Sequence, residues 1–174
     1  MSDLLQQISG NHSRMQKLMA LLPGYRGYQE NTDRRAADRL IRDHVANAFK
    51  AQLADLIAAE KTTLSSPNGL SNMGKLHDIQ SQLQVLIDRV NTAMPGYSGF
   101  YDAIKVGPAE LEKIYNFDEA LIGQADKFKA GIEALNTALR SNEGLDSAIS
   151  ALSAIVTEAN TAFGQRQNVI VGLA

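Results

Sequence analysis

The chain has 174 residues, of which 44% are hydrophobic, and its 17 lysine and arginine residues nearly balance 19 aspartate and glutamate residues. This length and composition are typical of one globular domain with its own core, and the near-neutral charge argues against a dedicated nucleic-acid-binding protein. The sequence contains no cysteine, which excludes disulfides and thiolate chemistry. It has neither a leader-like start nor an apolar run approaching roughly 18 residues, so by default we expect a cytoplasmic protein.

Four prolines divide the sequence into five uninterrupted segments, because a proline inside a helix costs about 3 kcal/mol. They are Pro23, Pro67, Pro95 and Pro108. The first segment has helical apolar spacing from Leu4 to Leu22, interrupted by Gly10 and Asn11. Two interpretations stay open there: a bend in the helix, or a buried asparagine that sets the helix register.

The spacing predicts a second helix from about Asp33 to Lys61, with Thr32 as its N-cap. Residues 62–74, TTLSSPNGLSNMG, are rich in serine, asparagine and glycine and are predicted to form a connecting loop. Apolar residues three and four apart from Leu76 to Val90 predict the third helix.

Two further helices follow Pro108, which stands at the first helical position. Asp118 interrupts the apolar stripe of the fourth helix, and we expect it to pair with an arginine on the facing helix. A last stripe predicts a final helix over about 143–166, followed by an apolar tail over 167–174 that packs on its own bundle or on a neighbour. Only this tail hints at strand alternation, so the fold class is all-α.

An internal repeat organises these segments. LPGYRGY at residues 22–28 returns as MPGYSGF at residues 94–100, and each copy follows an amphipathic helix and precedes a long one. We therefore expect a single-domain, up-and-down bundle of about five helices with two helix–PGYxG–helix units, over about 1–61 and 71–140. The first and third helices of such a bundle are parallel, so both motifs would lie at one end.

The end that carries these motifs is the predicted interaction surface. Its aromatic rings either seal the end of the core or form an exposed recognition surface. Arginines at the start of the second helix have acidic residues four positions away, which favours a salt-bridged helix face over binding to an anionic membrane or nucleic acid. The candidate surface comprises Tyr25, Arg26, Tyr28, Arg34, Arg35, Tyr97, Phe100 and Tyr101.

The first motif and the helix after it carry a family resemblance. LPGYRGYQ followed by RRAADRLIRDHVANAF resembles a segment of uncharacterised bacterial helical proteins. The likeness covers about 30 residues around Tyr25 to Phe49, with the second motif and IYNFDEALI adding to it. It implies a bacterial origin and a helical fold, and it implies no activity, cofactor, substrate or functional residue.

Motifs that carry chemistry are missing from the sequence. The three histidines lack the Glu-x-x-His spacing of helical metal sites, and phosphate-binding loops and hydrolase motifs are absent. We therefore assign no catalytic, cofactor-binding or metal-binding residues.

Two glycines of the fourth helix, Gly123 and Gly131, predict close approach of another helix, within the bundle or between subunits. The resulting hypothesis is a non-enzymatic scaffold, adaptor or self-assembling subunit that acts through protein–protein contacts and has no small-molecule substrate. The alternative is peripheral binding to an anionic membrane or nucleic acid through the arginine-rich helix start.

Overall fold

The computed structural model describes residues 34–66, 69–93 and 108–171, together with Lys17 and Ala20; side chains are described from residue 39 in the first range and from residue 112 in the third. These residues are helix and turn, which confirms the predicted all-α class. The four helices of the described ranges are α1 Arg34–Leu64, α2 Gly69–Thr92, α3 Pro108–Ser141 and α4 Leu145–Ile170.

The helix predicted before Pro23 lies outside the described residues, except for Lys17 and Ala20, which are helical. The count of five helices and the internal repeat therefore stay predictions.

The four helices pack in a ring in the order α1, α2, α4, α3, and contacts between described residues join neighbours in this ring. Short turns make α1 antiparallel to α2 and α3 antiparallel to α4. The helices α2 and α4 are parallel, because Lys75 binds Asp146 near their starts at 2.8 Å and Arg89 binds Asn160 towards their ends at 3.1 Å. It follows that α1 and α3 are also parallel, and the side chain of Gln52 joins them by donating to the Ala125 carbonyl at 2.8 Å.

The two ends of the ring differ. The end of α1 and the start of α2 lie at the same end of the ring as the turn over residues 142–144, and we call this the closed end. At the opposite end, which we call the open end, α1 and α3 begin and α2 and α4 finish. The helices α2 and α3, consecutive in the chain, are therefore diagonally opposed in the ring.

The core is built from the apolar stripes that the spacing predicts. In α2 the buried side chains recur three and four residues apart, as expected for one face of a helix. Phe49 of α1 and Phe128 of α3 meet edge to face at the centre, with ring centroids 6.2 Å apart. The buried stripe of α2 consists of Leu76, Ile79, Leu83, Leu86 and Val90.

The prediction of a loop over residues 62–74 is wrong. The structure continues α1 to Leu64 and begins α2 at Gly69, so most of that segment is helical. The threonine hydroxyls of the last α1 turn donate to the carbonyls four residues earlier, which keeps them compatible with a helix. A Cβ at Gly69 would collide with the carbonyl oxygen of Thr63, so the tight turn requires glycine there.

The last helix is also longer than predicted, because α4 runs to Ile170. Val169 and Ile170 are buried and belong to the core, so part of the predicted tail continues the apolar face of α4 instead of forming a separate segment. Within the described ranges, the helices lack the combination of length and hydropathy that crossing a membrane requires.

Candidate functional site

Most residues of the predicted interaction surface lie outside the part of the chain that the structure describes. Tyr25, Arg26, Tyr28, Tyr97, Phe100 and Tyr101 all lie outside the described residues. Arg34 and Arg35 begin α1 at the open end, but their side chains are not among those described. The helix ends next to both motifs, the start of α1 and the end of α2, lie together at the open end.

The described arginines near this end make contacts within the chain. Arg42 donates to the carbonyl of Ala93 at 3.1 Å, at the C-terminal end of α2, where carbonyls lack helical partners. Arg39 lies 3.8 Å from Asp43 on the exposed face of α1. This second contact is one of the arginine–aspartate pairs that the sequence predicts.

The two glycines of α3 have different surroundings. A Cβ at Gly131 would lie 2.6 Å from Cδ2 of Leu152, so α3 and α4 approach closely there. A Cβ at Gly123 would meet nothing within 4 Å in the described part of the chain. The structure therefore does not bring both glycines to one helix contact within the bundle.

A buried ion pair joins α3 to α4 towards the open end. Nε of Arg166 donates to Oδ1 of Asp118 at 2.6 Å, and both side chains are almost wholly shielded from solvent. The expectation that Asp118 pairs with an arginine on a facing helix is confirmed. Since both residues are buried in the bundle, we interpret the pair as a structural contact between α3 and α4.

Large apolar side chains are exposed at the closed end. Leu70, in the first turn of α2, is 84% exposed, and Leu64, the last residue of α1, is 52% exposed. The backbone at Leu64 lies close to Gly69, the residue before Leu70, because a Cβ at Gly69 would lie 3.1 Å from Cα of Leu64. We call Leu64 and Leu70 the closed-end surface.

A pocket of about 490 Å³ lies between the two turns at the same end. Its apolar wall comes from the end of α3 and the start of α4, and its polar wall includes Asn72, whose residue is only 3% exposed. We call it the closed-end pocket. The described residues that line it are Ser66, Asn72, Ala138, Leu139, Asn142, Gly144, Leu145, Asp146 and Ser147.

One carboxyl group between α1 and α2 has a perturbed titration. Burial raises the pKa of Glu60 above its ordinary value, and the nearby His77 opposes this effect. With its amide in the hydrogen-bonding orientation, Gln80 donates to both oxygens of Glu60, at 3.0 and 3.2 Å. No group of three or more potential metal-binding side chains occurs among the residues with a described position.

The sequence does not predict the closed end, because the serine, asparagine and glycine content of residues 62–74 is typical of a loop. A usable signal was present in the position of Leu70. Extending the apolar stripe of α2 backwards from Leu76 in steps of three and four reaches Asn72 and Gly69, and leaves Leu70 off the buried face. An apolar residue off the stripe and a polar residue on it are the features that mark this end.

No protein-family model, curated protein or solved structure matches this chain. The resemblance to bacterial helical proteins, carried by the segment around Tyr25 to Phe49, accordingly stays a prediction.

Proposed function

We propose that this chain is a non-enzymatic helical scaffold that acts through protein–protein contacts, as a self-assembling subunit or an adaptor. The observation that carries the proposal is the closed-end surface. Leu64 and Leu70 stand on the two helix ends that meet where Gly69 packs against Thr63, and both present exposed aliphatic area there. Grouped exposed apolar side chains with a polar rim are typical of contact sites, whereas single exposed ones are ordinary.

The charges around this surface suit a second copy of the chain. Exposed side chains of both signs lie at the closed end: Lys75 and Asp146 pair with each other, and Lys61, Arg140 and Glu143 are also exposed. In a two-fold symmetric contact the same patch meets itself, so a patch with both signs can pair each charge with an opposite one. Self-association is therefore the form of the proposal that the charge pattern favours.

The contacts of the arginine-rich start of α1 give less support to binding of an anionic membrane or nucleic acid. Arg42 satisfies carbonyls at the end of α2, and Arg39 lies beside Asp43. Arginines engaged in this way contribute less to a phosphate-binding patch, which depends on cations directed towards the ligand.

Size-exclusion chromatography with light scattering over a range of concentrations tests the self-assembling form. The variant is Leu64→Ser/Leu70→Ser. The matched control is Val85→Ser, because Val85 is 52% exposed, like Leu64, but lies in the middle of α2 away from the closed end.

We expect the wild-type mass to rise above the monomer mass of 18.9 kDa with concentration. The double variant should stay at the monomer mass, and Val85→Ser should behave as the wild type. A wild-type mass that stays at 18.9 kDa throughout would overturn self-assembly and leave the closed-end surface to a different protein.

A further inference from the structure

We propose that the closed-end pocket receives the side chain of Leu70 from a second copy of the chain, so that two chains form a reciprocal two-fold dimer. This pairing rests on the self-assembling form of the proposed function, and it names the surface that each Leu70 contacts. Three properties of the closed end support it: an exposed aliphatic side chain, a pocket with an apolar wall, and charges of opposite sign.

Leu70 is directed out of the closed end. It lies in the first turn of α2 and is 84% exposed. The Cα–Cβ bonds of a helix tilt towards its N-terminus, so the side chain of Leu70 leans towards the end at which α2 begins. The described residues that line the pocket of its own chain do not include Leu70. Its aliphatic surface is therefore available to a second copy.

The closed-end pocket has an apolar wall that suits a leucine side chain. Leu139 of α3 and Leu145 of α4 line it together with Ala138, and both leucines pack against the core while staying partly accessible. The volume of about 490 Å³ exceeds that of one leucine side chain. Insertion of Leu70 would therefore remove apolar surface of both chains from water.

The exposed leucine and the pocket lie at the same end of the molecule, which favours a closed dimer over a filament. When two closed ends face each other, a two-fold axis midway between Leu70 and the pocket places each Leu70 opposite the pocket of the other copy. Both contacts then form together. A filament would need the two surfaces to face in different directions, so that each copy could contact two others.

Opposite charges accompany the two surfaces. Lys61 lies in the last turn of α1, on the side of the end that carries Leu70, and Glu143 lies in the turn between α3 and α4, on the side of the pocket. Both are exposed. A two-fold axis that brings Leu70 to the pocket also brings Lys61 of one copy towards Glu143 of the other, and such complementary charges favour one orientation of the contact.

Two other charged side chains on the pocket side have partners within their own chain. Asp146 accepts a hydrogen bond from Nζ of Lys75 at 2.8 Å, and Arg140 donates to the hydroxyl of Thr137, one turn earlier in α3, at 3.1 Å. The ammonium group of Lys75 offsets the charge of Asp146 at the pocket. An uncharged side chain such as that of Leu70 therefore suits this pocket.

Light scattering on pocket variants tests this pairing. Ser147→Phe places a large side chain at an exposed position of the pocket lining, and it should raise the dissociation constant of the dimer about tenfold or more. Leu70→Ser, which removes the inserted side chain, should have a similar effect. Ser150→Phe is the matched control, because Ser150 is exposed on α4 but does not line the pocket, and it should dimerise as the wild type does.

An equimolar mixture of Leu70→Ser and Ser147→Phe gives the sharpest result. Each variant alone lacks both contacts of its dimer, whereas a mixed pair keeps one, because Leu70 of the Ser147→Phe chain can enter the open pocket of the Leu70→Ser chain. We expect the mixture to associate at concentrations at which each variant alone is monomeric. A mixture that associates no more than the separate variants would overturn the pairing.

A crosslink provides a second readout that does not depend on the folding of Ser147→Phe. A photoreactive phenylalanine derivative at position 70 should form its adduct with residues 138–147 of the second chain, as located by mass spectrometry of the digested adduct. An adduct with residues 64–70 of the second chain, or normal dimerisation of Ser147→Phe, would overturn the pairing and leave self-assembly in place. A wild type that is monomeric at every concentration would overturn both.

Discussion

Asp118 and Arg166 show how one polar contact is tolerated inside an apolar bundle. A buried charge is costly unless an opposite charge and hydrogen bonds accompany it, and the 2.6 Å contact provides both. Removal of one member would leave the other charged and buried. The pair therefore joins α3 to α4 in one register, because a shift of either helix would separate the two side chains.

Asp118→Ala should lower the free energy of unfolding by about 3–5 kcal/mol, the typical cost of leaving one buried charge without its partner. Urea denaturation followed by helical circular dichroism measures the change. Asp43→Ala is the matched control, since its exposed contact with Arg39 should contribute less than about 1 kcal/mol. Equal losses in the two variants would show that the buried pair contributes no more than a surface pair.

Glu60 should make stability depend on pH in a definite direction. Because burial raises the pKa of Glu60, the folded chain holds this proton more tightly than the unfolded chain does. Stability therefore falls as pH rises from the ordinary carboxyl value, 4.5, through the raised one. Glu60→Gln should remove this fall, so that the variant gains stability over the wild type above that window.

Urea midpoints measured across the acidic to neutral range test this prediction. Glu133→Gln, an exposed position on α3, serves as the control for loss of a negative charge. A wild-type profile that Glu60→Gln leaves unchanged would mean that burial of Glu60 has no effect on folding.

At the scale of helices, spacing predicts buried faces better than it predicts ends. The stripe from Leu76 to Val90 is buried as expected, because side chains three and four apart share one helix face whatever the partner. The stretch from Thr62 to Gly74 looked like a loop because serine, asparagine and glycine are common in loops. Its helical ends depend on the packing of Gly69 against Thr63, a tertiary contact that local composition does not encode.

Substitution by alanine at two glycines of α2 should change the free energy of unfolding in opposite directions. Gly69→Ala should lower the free energy of unfolding by about 1–3 kcal/mol, because the new Cβ would collide with backbone at Thr63. Gly74→Ala should raise it by about 0.5–1 kcal/mol, since nothing lies within 4 Å of its Cβ position and alanine favours the helix. Thermal and urea unfolding provide the comparison, and a gain at both positions would contradict the tight turn.

A second glycine pair tests the contact between α3 and α4. Gly123→Ala has free space and should stabilise the chain, whereas Gly131→Ala must displace Leu152. We expect Gly131→Ala to be less stable than Gly123→Ala by at least about 1 kcal/mol, from the cost of overpacking. The difference between the two urea midpoints measures it, and identical midpoints would mean that the helices separate easily at Gly131.

At the scale of the whole molecule, apolar stripes predicted helices and buried faces but not which helices are neighbours. A stripe shows which side of α2 is buried and leaves open whether α3 or α4 covers it. Contacts between distant residues decide this, such as those of Lys75 with Asp146 and of Arg89 with Asn160. The closed-end surface is likewise not predictable from the stripes, because the positions of Leu64 and Leu70 come close together only when α1 and α2 pack at their turn.

Photo-crosslinking in cells that express the chain tests the central claim, protein contact at the closed end, most directly. A photoreactive phenylalanine derivative would replace Leu70 in one variant and Val85 in the control. We expect a discrete covalent adduct with protein from position 70 and none from position 85, at the mass of two chains if the partner is a second copy. Equal adducts from both positions, or none from position 70, would contradict the claim.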